Sequence, residues 1–135
     1  MKKLWHLLSG WPAYFDINIQ EDTTSNRMFV TGWNADSDRQ LSVPFNDTNW
    51  HCWIYTYAGI GISNNINLYK DGELVATGTF NFRSADSSNG KFVIGAEQGG
   101  NSGVDASHAK FANIRFWNYV IDAEQISQEA NRYII

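Results

Sequence analysis

Two short stretches combine the residue types that grip a sugar. Trp33 is followed by Asn34, Asp36 and Asp38, and a glycine-rich segment later carries Asn101-Ser-Gly-Val-Asp105. A pyranose offers apolar C–H faces that stack on aromatic rings, and hydroxyl edges that need amide, carboxylate or backbone partners. Trp33, Asn34, Asn101 and Asp105 are therefore the candidate ligand-binding residues. The competing reading is structural. A Trp at a strand end is more often a lid on the core, and Asn, Asp and Gly are what turns demand in any case.

Little else in the chain could do covalent or metal chemistry. Its single cysteine, Cys52, excludes an internal disulfide and a cysteine-built zinc site. Set between aromatic residues in a strand-like run, it reads as an inert buried thiol rather than a nucleophile. The histidines, His6, His51 and His108, are dispersed and share no metal-ligand spacing. Net charge is −4 and the ten Lys and Arg are scattered, so no basic stripe exists to neutralise phosphates. Residues 110–117 look superficially like an aromatic RNA-binding strand but lack the glycines of that motif. No nucleic-acid partner is expected.

No apolar run is long enough to span a membrane, so no membrane insertion is expected. The first ten residues imitate a secretory leader, but their apolar stretch is short and broken by His6, with no clear cleavage site after it. They are read as mature chain, without a signal peptide. Asn46-Asp-Thr48 is a glycosylation triplet of a kind that chance often supplies.

The elements that must position these residues are mostly strands. At 135 residues the chain suits one domain, and a domain of that size buries roughly two-thirds of its unfolded surface. Aromatic residues make up 15% and charged residues 18%, the balance of sheets built from large flat side chains. Residues 14–20 alternate cleanly, with Phe15, Ile17 and Ile19 on one face. Further strands are predicted at 27–33, 40–43, 49–57, 65–70, 73–80, 91–95 and 110–119. Asp71-Gly72 between two apolar runs predicts a type I′ hairpin, because that turn needs positive φ at both central residues. Asp122, with Gln125 three residues on, opens a predicted helix over 123–131 that docks through Ile126 and Ala130. Glu124 and Glu129 on that helix are read as solvated charge. Many short strands, one terminal helix and no βαβ alternation give an all-β class, an antiparallel β-sandwich.

The run Asn49-Trp-His-Cys-Trp-Ile-Tyr-Thr-Tyr57 is apolar or aromatic at nearly every position. Alternation puts Trp50, Cys52 and Ile54 on one face, a candidate for the core between sheets. Trp53, Tyr55 and Tyr57 lie on the other, expected to be covered by protein rather than bared as a ligand platform.

Three motifs in order resemble a known family. The Trp-His strand just quoted, the hairpin Leu68-Tyr-Lys-Asp-Gly-Glu-Leu74, and Phe111-Ala-Asn-Ile-Arg-Phe-Trp117 continuing to Glu124 and Ile126 are similar to the laminin-G-like, concanavalin A-like jelly roll. Val93-Ile-Gly95 fits the short strand between the last two. The match is strongest over residues 49–126, within a single domain spanning 1–135. Two departures stand out: Ala112 replaces a frequent glycine, and only 48 residues precede the Trp-His strand. One or two opening strands are therefore expected to be missing. The edge of the closing strand would then be completed by an oligomer, a larger assembly or further polypeptide.

The resemblance implies a recognition module that binds carbohydrate or glycoconjugate, or alternatively an adhesion or assembly module that binds protein. It implies an extracellular, cell-surface or virion-associated location. Many such domains hold calcium at a loop rim, and Asp36, Asp38 and Asp105 are the hard oxygen ligands that would suit it here, with Asn101 beside them. The same fold hosts glucanases, whose carboxylates alternate along one strand. None of Glu21, Glu73, Glu97, Glu124 and Glu129 is followed two residues later by Asp, and Asp36 and Asp38 fall in a turn cluster. The chain is expected not to be an enzyme.

Overall fold

Apolar residues line up in rows across the first sheet. In a computed structural model, strands β1 (Lys3–Trp11), β2 (Phe15–Glu21), β3 (Asn26–Thr31), β4 (Leu41–Pro44) and β8 (Lys91–Ile94) form an antiparallel sheet in the order β4-β3-β2-β1-β8. The structure describes residues 3–11, 15–21, 26–31, 41–44, 49–59, 61–79, 91–94 and 110–132. Register pairs Ile94 with Leu8, Leu8 with Ile17, Ile17 with Val30, and Val30 with Leu41. A second row runs Trp5, Ile19, Met28, Val43. Cross-strand partners share a face, and the last members of these rows, Leu41 and Val43, are buried. The intervening rows run His6, Asn18, Phe29, Ser42 and Leu4, Gln20, Arg27, Pro44, and mix polar with apolar residues.

A β-bulge between His6 and Leu8 shifts the register of β1. One extra residue inverts the alternation, so Trp5 and Leu8 both stand in apolar rows although their spacing is odd. That inversion hides the strand in Lys-Leu-Trp-His-Leu-Leu-Ser-Gly, a stretch in which no period is legible. Among the described residues, four strands precede residue 45.

The second sheet is β5 (Trp53–Tyr57), β6 (Ile66–Lys70) and β7 (Glu73–Gly78), antiparallel in that order. Contacts divide the chain into two units, residues 1–46 with 82–110, and residues 47–81 with 111–135. The first holds the five-stranded sheet; the second holds the three-stranded sheet and helix α1 (Ala123–Arg132). In the second unit Trp53, Tyr55 and Tyr57 share a face with Lys70, Leu68 and Ile66. Leu68 and Ile66 have no solvent exposure, and the hydroxyl oxygens of Tyr55 and Tyr57 are shut off from solvent. This face is covered, as the alternation anticipates. On the opposite face Ile54 joins Ile121 and Ile126 in the core, with Cys52, Tyr69 and Trp117 packed against them.

The hairpin forms as its dipeptide dictates. Asp71 and Gly72 take φ of 53° and 88°, the left-handed values a type I′ turn requires. The eight-residue connection between β5 and β6 is closed by Ala58 N donating to Asn65 O at 2.7 Å. The fully buried Asn65 also donates its amide to Gly59 O at 2.6 Å.

Three expectations need correction. Strand β5 begins at Trp53, not Asn49, because β6 ends at Lys70 and leaves no ladder partner for earlier residues. Trp50 is therefore no core residue; it is 66% exposed. Residues 110–119 form no strand. Asn113 stands in the middle with φ of 57°, a left-handed value that breaks a pleated ladder. Glu129 is not solvated but buried, and it is neutralised by two arginines.

Candidate functional site

The best-defined cluster of polar side chains gathers around the Asp71-Gly72 turn. The Asp71 carboxylate accepts from the Cys52 backbone N–H at 2.9 Å through Oδ1, and from His51 Nδ1 at 2.6 Å through Oδ2. Asp71 N returns a bond to Cys52 O at 2.8 Å. The turn thus continues, through a side chain, the ladder that its own reversal interrupts. It holds residues 51 and 52 in place where β6 no longer can. His51 meets the Trp53 ring edge-on, with centroids 6.3 Å apart, and Lys70 Nζ lies 5.7 Å from the Trp53 centroid. The cross-strand pairing of Trp53 with Lys70 places that cation.

Helix α1 closes the cluster from the other side. Asp122 caps it, its Oδ1 accepting from Gln125 N at 2.8 Å while its carbonyl accepts from Ile126 N at 2.9 Å. Ile126 and Ala130 are buried, one turn apart on a single stripe. A Cβ on Gly72 would stand 3.2 Å from Ala130 Cβ and 3.9 Å from Ser127 Cα. Glycine is thus used twice at this position, for its φ and for the approach of the helix. From the segment before the helix, Arg115 donates to both Glu129 oxygens at 3.0 and 3.2 Å, and Arg132 reaches Glu129 at 3.3 Å. A buried carboxylate would be costly alone, and the two guanidinium groups offset that cost.

The electrostatics of the cluster suit architecture better than reaction. Burial pushes the Cys52 thiol upward, and the Asp71 and Glu129 carboxylates push it further. A reactive cysteine needs the opposite surroundings. Burial, with Tyr57 adding, likewise raises the Tyr55 phenol. The His51–Asp71 pair has the form of a general-base dyad, but its carboxylate is already engaged by the Cys52 amide. Among the described residues, no group of three or more His, Cys, Asp or Glu side chains is arranged to hold a metal ion.

The residues singled out by their types fall elsewhere. Trp33, Asn34, Asp36, Asp38, Asn101 and Asp105 all lie outside the described residues, as does the Asn46 triplet. Trp50 is the exposed aromatic that alternation assigned to the core. Pairing Tyr57 with Ile66 and counting back to the Asp71-Gly72 turn would have shown β5 beginning at Trp53. No helix among the described residues is long and apolar enough to cross a membrane.

The turn cluster is built from the same Trp-His, Asp-Gly and Ile-Arg-Phe-Trp motifs that carry the family resemblance. A family model described as the concanavalin A-like lectin/glucanases superfamily, of laminin G type, matches residues 8–127. The chain belongs to that superfamily, and its fold class is the all-β, antiparallel β-sandwich with a short C-terminal helix. The match begins well before Asn49, so the likeness reaches further toward the N-terminus than the motifs alone indicate. No curated protein and no solved structure matched the chain.

Proposed function

We propose that this chain is a noncatalytic recognition module whose ligand is a carbohydrate or glycoconjugate, working outside cells, at a cell surface or on a virion. The observation that carries the reading is membership of a lectin-containing superfamily by a chain whose described reactive side chains are engaged in architecture. His51 and Asp71 secure a turn, Glu129 secures the helix, and the Cys52 thiol is held protonated. Trp33, Asn34, Asn101 and Asp105 supply the stacking and hydrogen-bonding chemistry that a sugar rim requires. The absence of a Glu-x-Asp pattern favours a binder over a glycoside hydrolase.

A glycan array probed with the labelled protein tests this reading directly. Retention of a related group of glycans is expected, with loss in Trp33→Ala or Asp105→Ala. Reducing-sugar release from a β-glucan panel would replace the binder with an enzyme.

A second reading, an adhesion or assembly module that binds protein, is favoured by one specific feature. Ile114, Phe116, Tyr119 and Val120 are 42%, 64%, 59% and 50% exposed within ten residues of sequence. Apolar surface of this density is typical of contact surfaces. A defined oligomer by light scattering, with no glycan bound on the array, would move the assignment to this class.

A further inference from the structure

Asp71-Gly72, the only Asp-Gly pair in the chain, is a dipeptide with a chemistry of its own. Glycine leaves the amide nitrogen after an aspartate unshielded, so that nitrogen can attack the aspartyl side chain. Gly72 N bonds to Asp71 Cγ, and one carboxyl oxygen leaves as water with the amide hydrogen and the acid proton. Water then adds to the main-chain carbonyl carbon of Asp71 and breaks its bond to Gly72 N, which takes back a hydrogen. The backbone now runs through Cβ and Cγ of an isoaspartate. Mass is unchanged, and water is the only co-reactant.

The folded hairpin withholds the geometry this reaction needs. Both Asp71 oxygens are engaged, Oδ1 by Cys52 N at 2.9 Å and Oδ2 by His51 Nδ1 at 2.6 Å. Cyclisation requires the side chain to leave both donors and turn onto the next amide. Asp71 N, bonded to Cys52 O at 2.8 Å, fixes the residue's own backbone as well. Solvent is not what is lacking, since 34% of the Asp71 side chain is exposed. Helix α1 adds a second restraint. A Cβ on Gly72 would already stand 3.2 Å from Ala130 Cβ, and an isoaspartate inserts one more backbone atom just before Gly72. The turn cannot lengthen there without shifting the helix.

We propose that Asp71-Gly72 is an isoaspartate modification site that the folded protein keeps closed through His51 and the Cys52 amide, and that opens when the turn leaves them. Neither donor takes part in the reaction; both position the carboxylate away from Gly72 N. Conversion therefore runs through local opening of the hairpin. The product does not rebuild the anchor, because its carboxylate is now the main-chain carboxyl of the modified residue. The modification marks chains that have opened at this turn and keeps helix α1 from redocking on it. This inference is independent of what the module binds.

The test incubates the whole chain in warm, mildly acidic buffer, with and without guanidinium. Wild type is compared with His51→Phe, which keeps a ring beside Trp53 and removes the donor, and with His51→Asn, which restores a donor. Asp122→Ala serves as a control that weakens helix α1 and leaves the anchor intact. Conversion is read as resistance of the Lys70–Asp71 bond to a protease that cuts before aspartate but not before isoaspartate, and as methyl uptake from an isoaspartyl methyltransferase. Peptide mapping keeps it apart from Asn89-Gly90, which can cyclise in the same way. Expected are slow conversion in the folded wild type, fast conversion of all four chains in guanidinium, and a lowered thermal midpoint in the modified protein. Folded H51F should convert about tenfold faster than wild type, the population gained when one charge-assisted bond is lost, and H51N should recover most of the difference. H51F converting no faster than D122A would overturn the anchor's role. Should H51F fail to fold, the wild type decides alone: conversion as fast in the folded chain as in guanidinium would overturn the proposal.

Discussion

Asp71 does three things with one side chain and one backbone. It takes the left-handed φ that Asp tolerates, caps the Cys52 amide and orients His51. Charge-assisted bonds of this sort contribute about 1.5–3 kcal/mol each when formed in partly buried settings. Asp71→Gly keeps the turn and loses the carboxylate, whereas Asp71→Ala loses the carboxylate and strains the backbone. Urea denaturation should show a loss of about 2–3 kcal/mol for D71G and about 1 kcal/mol more for D71A. Equal stability of D71G and wild type would mean the anchor carries no load.

The raised thiol makes a second, independent statement at the residue scale. A folded-state pKa above the unfolded one means the native chain holds this proton more tightly. The corresponding stability is complete below the thiol's ordinary pKa of 9.0 and is lost as pH rises through the raised value. The Tyr55 phenol adds loss of the same sign above its ordinary 10.0. The urea midpoint should therefore hold steady from pH 7 to 8.5 and fall above pH 9, about, with a shallower fall in Cys52→Ala. Reaction with a disulfide reagent at pH 8 should be slow in the folded protein and fast in urea.

At the scale of elements, helix α1 shows how far local rules extend. Its start was written in Asp122 and its docking stripe in Ile126 and Ala130, because capping and a 3.6-residue period are properties of a short segment. The status of Glu129 was not so written. Its burial depends on Arg115, fourteen residues away, and no helical periodicity reports such a partner. Asp122→Ala should cost about 1 kcal/mol. Glu129→Ala should cost about 2–3 kcal/mol, because two arginines lose their common acceptor. Asp122→Ser should recover most of the first loss, which separates capping from a general effect of charge. Residues 110–119 mark the opposite case. Their alternation has the signature of a strand, yet a strand requires a partner and tolerance of its own backbone, and Asn113 at φ of 57° denies it the latter.

At the scale of the whole molecule, sheet order is the property least accessible to local reading. The strand nearest the N-terminus pairs with β8, some eighty residues later, and its bulge disguises it. The two proposed roles make different demands on the surface, sugar binding on one hand and apolar protein contact along residues 111–120 on the other. Hydrogen exchange with light scattering separates them. If the second surface drives assembly, amides of 111–117 should gain protection as the protein is concentrated and the scattering mass rises. If the protein is solely a sugar binder, mass and protection should stay constant with concentration.

Whatever a few neighbouring residues can specify was legible in the chain before it folded. The Asp71-Gly72 turn, the Asp122 cap, the alternation of β2 and the placing of Trp53, Tyr55 and Tyr57 on one face each follow from steric or periodic rules acting within about ten residues. The order of three such motifs was enough to mark the superfamily. Tertiary structure alone decided where those rules stop. Strand β5 begins only where β6 supplies a partner, Trp50 is left in water ahead of that start, and Glu129 is buried because Arg115 comes to it. The physical reason is common to all three. Burial and pairing belong to contacts between distant segments, and a residue's own neighbours in the chain do not carry that information.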